Sequence, residues 1–305
     1  SSDNNNASLG KQLFPHFIQF AIKMQPEYVS LITPSRWFSG NAQDGSFPKL
    51  RDYVRNNNHF YKIVNYYSNK ELFPNVNIGP VNYFLYDNKY NGDVHFVEVD
   101  DENNFDETER PLFEEGNDII LSMNKLIKYV NKVKSDPKFM PLSSMATGRN
   151  AFGIVGKNIN SISSDKPFEG SVKLRCAHEE VRYIDEKYVL NRKDVMNNWK
   201  IFTSKANGGA GLLSDNKQVT IIGRAYIGQP RSVCTDSLIP IGSFETEEEA
   251  FNLQKYMSTK FLRFLAGILK ASQNLYQGIY QYVPIQDFTN NSDIDWKKSI
   301  HEVDL

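Results

Sequence analysis

A chain of 305 residues has room for two domains at the usual ~100–200 residues each, and its 40% apolar and 23% charged residues are ordinary for a globular protein with a core in each. Lysine and arginine number 35 against 36 aspartates and glutamates, a net charge of -1. That excludes attachment to nucleic acid by bulk charge and leaves only a local basic face. Two cysteines, Cys176 and Cys234, exclude a disulfide scaffold and a Cys-rich zinc module. No apolar run approaches the ~18 residues of a membrane span, and the polar opening SSDNNNASLG has no signal-peptide core, so the expected compartment is the cytosol.

In chain order, Leu9, Leu13, Phe17, Phe20, Ala21 and Met24 recur at three- and four-residue spacing. This predicts an amphipathic helix over 8–25, stopped by Pro26, with that stripe as its apolar face. YVSLITP (28–34) reads as a buried strand ended by Pro34. A Gly-containing loop, SGNAQDGS, leads to a helix over 48–57 with Leu50, Tyr53 and Val54 on one face, and HFYKIVNYY (59–67) reads as a second strand. ELFP makes a turn. VNYFLYD (81–87) and GDVHFVEV (92–99), bounded by turn residues, predict an antiparallel pair. Strands alternating with helices imply a partly parallel sheet. Because this stretch opens on a helix, the first βα units of a doubly wound domain are expected upstream of Ser1.

Residues 98–118 carry ten carboxylates against one Arg110 and read as a solvated linker or loop. DIILSMNKLIKYVNKVK (118–134) has helical spacing and is expected to bridge two domains. From 139 to 244 there are 14 lysines and arginines against nine acids, a net of +5. The same stretch is rich in short strand-like runs: SVKLRCA, EVRYIDEKYVL, WKIFTSKA, QVTIIGRAYIG and SLIPIGSF. Gly-rich NGGAGLLSDNKQ (207–218) reads as a loop; it lacks the Gly-Lys-Ser/Thr ending of a phosphate loop. TEEEAFNLQKYMSTKFLRFLAGILKAS (246–272) is the strongest helix signal, opened by a capping box of Thr246 and Glu249 in an acidic first turn. YQYVPIQDF reads as an irregular docked segment.

Residues 13–90 together carry a recognisable layout: ITPSRWF ending a strand, a helix, then ELFPNVNIGPVNYFLYDNKYNGD. This resembles the later motifs of amino-methylating DNA methyltransferases, in particular the adenine-N6 group of restriction-modification systems, including bifunctional type IIG-like proteins. GRAYIGQPRSVCTDSLIPIGSFETEEEAFNLQKYMSTKFLRFL and YQYVPIQDF resemble that family's target-recognition region. The resemblance implies an α/β fold in which 1–116 form the C-terminal half of a Rossmann-like methyltransferase sheet, 117–138 a connecting helix, and 139–305 an α+β DNA target-recognition domain. It implies S-adenosylmethionine as the cofactor of the whole protein and double-stranded DNA as its partner, with any nuclease domain or restriction subunit lying elsewhere. The family's Gly-rich cofactor loop and its Asn/Asp-Pro-Pro-Tyr/Phe tetrapeptide are not found; no Pro-Pro pair occurs. By motif order both precede residue 1, so no catalytic residue carries over, tight cofactor binding is not expected, and this chain by itself is expected to be inactive.

A base modified within a duplex must be rotated out of the stack and held against an aromatic surface. The family places that aromatic in the strand aligned with VNYFLYD, which nominates Phe84 first and Tyr83 second; neighbouring strand residues face opposite sides, so only one can serve. The alternative for both is ordinary core packing. Arg36 and Trp37 follow the strand end at Pro34, where doubly wound folds place their sites, and are candidates for a DNA phosphate contact and a cleft lining. Lys173, Arg175, Arg182, Lys205, Arg224 and Arg231 are the candidate DNA contacts of the second half, with Trp199, Tyr226 and 207–211 as aromatic and Gly-rich neighbours. His16, His59, His95, His178 and His301 are scattered, and no metal site is expected. A competing reading is a non-catalytic DNA-specificity subunit working with a separate methyltransferase; a small-molecule α/β enzyme would need a constellation of acids that the sequence does not offer.

Overall fold

The computed structural model describes residues 12–42, 44–70, 72–76, 78–115, 117–148, 150–207, 220–270 and 275–303. The polar leader and nearly all of the expected Gly-rich loop lie outside them. Contacts cluster into two units, divided between Tyr129 and Val130.

The first unit contains α1 (Phe14–Lys23), β1 (Tyr28–Pro34), α2 (Ser46–Asn56), β2 (Phe60–Tyr66), β3 (Val81–Asp87), β4 (Val94–Val99) and β5 (Phe105–Arg110), and it ends within α3 (Asn124–Lys134). Its five strands form one sheet in the order β1-β3-β2-β4-β5. β3 lies antiparallel between β1 and β2, which therefore point the same way, and β4 runs parallel to β2. The sheet is thus partly parallel, a mixed α/β arrangement. The expected pairing of 81–87 with 92–99 does not form. β3 is already paired on both edges, so the chain passes β2 and adds β4 on its far side. The acidic stretch is not all loop: β5 pairs with β4 as an edge strand, its carboxylates turned to solvent, which suits an edge that must not recruit another strand.

One face of this sheet packs on α1 and α2 through Ile18, Ile22, Trp37, Leu50, Val54, Phe60, Ile63, Phe84 and Phe96. α1 is shorter than its apolar spacing suggests and ends near Gln25, which is left-handed at φ 52. It also buries the other face. Ile18 and Ile22, one turn apart, enter the core, whereas Leu13, Phe17, Phe20 and Met24 are 63–66% exposed.

The second unit contains β6 (Ser163–Ser164), β7 (Val172–Arg175), β8 (Val181–Ile184), α4 (Lys193–Met196), β9 (Trp199–Ser204), β10 (Tyr226–Gly228), β11 (Ser232–Cys234), β12 (Leu238–Phe244), α5 (Glu247–Met257) and α6 (Lys260–Leu269). They form two small sheets, β10-β9-β12 and β11-β7-β8-β6. Phe152, Val172, Leu174, Ile184, Met196, Phe202 and Val233 belong to one core cluster between them. The capping box forms: Thr246 Oγ1 accepts from the Glu249 amide, and the Glu249 carboxylate accepts from the Thr246 amide. The single long helix expected over 246–272 is two, because Thr259 turns the chain and caps a second start by accepting from the Leu262 amide. The VPIQDF tail docks on the body, with Val283 and Ile285 exchanging backbone hydrogen bonds with Leu142 and Met140 and the Tyr256 hydroxyl donating to the Pro284 carbonyl. Among the described residues no helix is long and apolar enough to cross a membrane.

Candidate cleft and nucleic-acid interface

In the first unit the parallel strands β1 and β2 deliver their carboxyl ends side by side, with the start of β3 between them. Alternation then places Thr33, Asn82, Asn65 and Glu98 in one register row across β1, β3, β2 and β4, all buried on the helix-covered face. Burying polar groups is costly unless they are bonded, and here they bond to one another. Asn82 Nδ2 lies 3.2 Å from Thr33 Oγ1 and Ser35 Oγ, and Ser35 Oγ donates to Asn65 Oδ1 at 2.6 Å. Among the described residues, Asn65 Nδ2 and Trp37 Nε1 have no hydrogen-bond partner. Sequence reasoning missed this row; an Asn at an inward position of an apolar strand was its available signal.

The row fixes the turn that follows β1. Arg51, 3% exposed on α2, clamps it from behind through the carbonyls of Trp37 and Gly40, both at 2.8 Å. Gly40 allows the close return: a Cβ there would sit 2.4 Å from the Arg36 carbonyl. Of the two residues nominated on this turn, Arg36 is exposed, donating to Gln12 Oε1 at 2.7 Å. Trp37 is not a cleft lining. It is fully buried, edge-on to Phe38 at 4.9 Å.

The strand aromatics separate as alternation requires. Phe84, the first candidate, is fully buried and packs on Phe60 at 4.9 Å, so it presents no surface to a base. Tyr83 lies on the opposite face, 39% exposed, beside Tyr66 at 6.3 Å and opposite Ile32 and Val64 in register. The β2–β3 connection adds an apolar rim that the sequence reading took for a turn: Leu72, Phe73, Val76 and Ile78 are 36–53% exposed. Asn69, 2% exposed, staples that segment by donating to the carbonyls of Phe73 and Val76 and accepting from the Ile78 amide.

Glu98 closes the row. Burial, reinforced by Asp106, pushes its carboxyl up to about 7 against the opposing Asn124 amide, Lys125 and Arg110. The Tyr67 hydroxyl and the Asn124 amide both donate to it. Arg110, whose guanidinium lies 4.1 Å from the Phe96 ring, donates to Asn124 Oδ1 at 2.9 Å.

Among the described residues, these side chains form no cradle for S-adenosylmethionine. The glycine-containing turn between β1 and α2 leads to a helix N-terminus, where the Asp44 carboxylate takes the first amide. It accepts from the amides of Ser46 and Gln12 at 3.0 Å, and the Ser46 side chain first, with these two amides, holds it down to about 2. Among the described residues no group of three His, Cys, Asp or Glu side chains is placed to hold a metal ion.

In the second unit the six nominated cations divide into two sets. Arg182 bridges Asp165 at 2.8 Å and Glu180 at 3.1 Å, Lys205 pairs with Asp236 at 3.0 Å, and Arg231 pairs with Glu186 at 3.1 Å. These three neutralise the fold's own carboxylates and are not available as unpaired cations. Lys173, Arg175 and Arg224 make no ion pair among the described residues. Arg175 lies 4.5 Å and Arg224 6.0 Å from the Tyr226 ring centroid. Trp199 is half-buried at the start of β9, and of 207–211 only Asn207 is described. Lys200, unnominated, is fully buried, its ammonium donating to the carbonyls of Met196, Asn198 and Gln229 at 2.8–3.0 Å.

Residues 1–73 match the family model of the Eco57I restriction-modification methylase. A protein of Mycoplasma pneumoniae (strain ATCC 29342 / M129 / Subtype 1), described as an uncharacterized adenine-specific methylase, is 30% identical over 117 residues, covering 37% of this chain and 26% of that protein. The chain thus spans about a quarter of the length of that relative. Among solved structures, the DrdV–DNA complex aligns over 93% of this chain and 39% of its own at 9% identity and a TM-score of 0.44. The type IIL restriction-modification enzyme MmeI in complex with DNA aligns over 88% and 40% at 10% identity and a TM-score of 0.41. The match to the Eco57I restriction-modification methylase family is thus to residues 1–73 of this chain.

Proposed function

We propose that this chain is part of a site-specific DNA adenine-N6 methyltransferase of a restriction-modification system, supplying one wall of the cleft for the flipped base and the DNA-recognition arm. One observation carries the reading: the family match over 1–73 falls on β1, its clamped turn, α2 and β2, the elements that frame the carboxyl edge, where doubly wound sheets bind their ligands. The first unit acts as the remainder of a catalytic domain, to 116; 117–138 connect; and 139–305 recognise DNA. The open edge of β1 and the exposed stripe of α1 support a sheet that continues into another part of the methylase.

S-adenosylmethionine, bound by that other part, supplies an electrophilic methyl group. The residues of this chain do the holding. Tyr83 and Phe73 offer aromatic surface at the carboxyl edge, Phe73 on a segment stapled by Asn69, and Arg36 meets a backbone phosphate. Lys173, Arg175 and Arg224 are the contacts to duplex DNA in the second unit.

The test is methyl transfer by the complete methylase from labelled S-adenosylmethionine to duplex DNA, with the product read by mass spectrometry. N6-methyladenine at one site is expected; its absence ends the reading. Methylation that appears only on adding a separate subunit supports the specificity-subunit alternative instead. Tyr83→Ala and Phe73→Ala slow methylation of a paired adenine, and a mismatched, already unstacked adenine recovers most of the loss. If neither variant is rescued by the mismatch, the stacking role fails.

A further inference from the structure

We propose that Arg175, Arg224 and Tyr226 form a two-arginine clamp for a phosphodiester of duplex DNA, with the Glu179 carboxylate as its internal competitor. The inference rests on the DNA reading above and adds to it which contacts are sequence-independent and what opposes them.

Two guanidiniums on one ring repel each other, and a fold gains nothing from bringing them together unless a counter-charge is near. Five other cations of this unit have found one: Arg182, Lys187, Arg192, Lys205 and Arg231 each sit within 3.1 Å of a carboxylate. Arg175 and Arg224 do not among the described residues. They share Tyr226, at 4.5 and 6.0 Å from its centroid. The ring holds both guanidinium groups by its quadrupole, and among the described residues their N–H edges make no hydrogen bond. Arg175 ends β7, Tyr226 begins β10, and Arg224 is exposed two residues before it. The clamp is therefore assembled from two different sheets, which fixes it more firmly than a single loop would.

The carboxylate bonded to the ring makes no ion pair with either arginine. Glu179 accepts from the Tyr226 hydroxyl at 2.8 Å, a bond that also raises the phenol above its usual value. Glu179 and the preceding His178 are both left-handed, at φ 66 and 54, a conformation that costs a side-chain-bearing residue free energy. The strained turn holds a negative charge beside the ring and partly offsets the two positive ones. A diester phosphate, with one negative charge shared by two oxygens in reach of planar guanidinium forks, is the anion this geometry suits. Base reading would instead require one arginine edge aimed alone into a groove.

The experiment is titration of a labelled duplex of random sequence with the intact chain, over a series of salt concentrations. Arg175→Ala and Arg224→Ala each weaken binding about tenfold at low salt and lower the log–log salt slope by about 0.9, the double variant by about 1.8. Tyr226→Leu weakens binding with the slope kept, since the charges remain but are no longer held. Glu179→Gln tightens binding about threefold, a gain that a merely structural role for Glu179 would not produce. Unchanged slopes in both arginine variants, with wild-type binding intact, overturn the clamp and leave the DNA reading standing. If selection from a random pool shows that Arg175→Ala alters preference at a single base pair, the arginine reads a base and the phosphate assignment is wrong. No salt-dependent binding by the wild-type chain overturns both.

Discussion

Glu98 and Lys200 are ionisable groups placed where ions are costly, and each makes a measurable demand on stability. The Glu98 carboxyl is raised from its ordinary 4.5 to about 7 by burial. A raised folded-state value means that the native state binds the proton more tightly than the unfolded chain. Its stabilising contribution is complete below about 4.5 and is lost as pH rises through about 7. The first unit is thus expected to be more stable near pH 5 than near pH 8, by on the order of 2–3 kcal/mol. Glu98→Gln, which keeps an acceptor for the Asn124 amide, removes most of that slope; thermal melts across this pH range check it, and a slope equal to wild type refutes it. Lys200→Met orphans three carbonyls that the ammonium now satisfies and costs about 2–4 kcal/mol. At this scale the sequence disclosed little. The local basic excess was legible, but not which cations are spent: Arg231 meets Glu186 from 45 positions away, and no spacing rule announces such a pair. Arg175 and Arg224 differ from it only in what the fold brings beside them.

Elements were legible where one force dominates and misread where two compete. The capping box at Thr246 is local chemistry and formed as expected. The positions of β1, β2, β3 and β4 follow from apolar runs bounded by turn residues, yet their pairing does not, because a short connection such as 88–93 suits a hairpin as well as a step past β2. In α1, apolar residues lie on both sides of the helix, so periodicity cannot say which stripe is core. The structure decides for Ile18 and Ile22 and leaves Leu13, Phe17, Phe20 and Met24 outside. The two faces therefore respond differently. Ile18→Ala, at a fully buried position, costs about 2–5 kcal/mol. Phe17→Glu and Phe20→Glu stay within about 0.5 kcal/mol of wild type, as read by denaturant melts of this chain. In the complete methylase the same two glutamates are expected to destabilise the protein severely, since an apolar stripe of this extent marks a face that something covers. Equal tolerance in both settings removes α1 as evidence for a continuing sheet.

For the whole molecule, the division at Tyr129 and Val130 makes a single free energy of unfolding the wrong description. Each unit has its own core, one around Trp37, Phe84 and Phe96 and the other around Phe152, Leu174 and Phe202. Two cores of separate composition imply two cooperative transitions. The buried ions label them, because Glu98 belongs to the first unit and Lys200 to the second. In scanning calorimetry, Lys200→Met is expected to lower one transition and leave the other within error. Raising the pH from about 5 to about 8 should lower the first unit's transition, through Glu98, and not the second unit's. In a Glu98→Gln background that selective fall disappears while the Lys200→Met shift persists. If Lys200→Met moves both transitions by the same amount, the units fold as one cooperative body, and the pH effect of Glu98 must then appear across the entire melt.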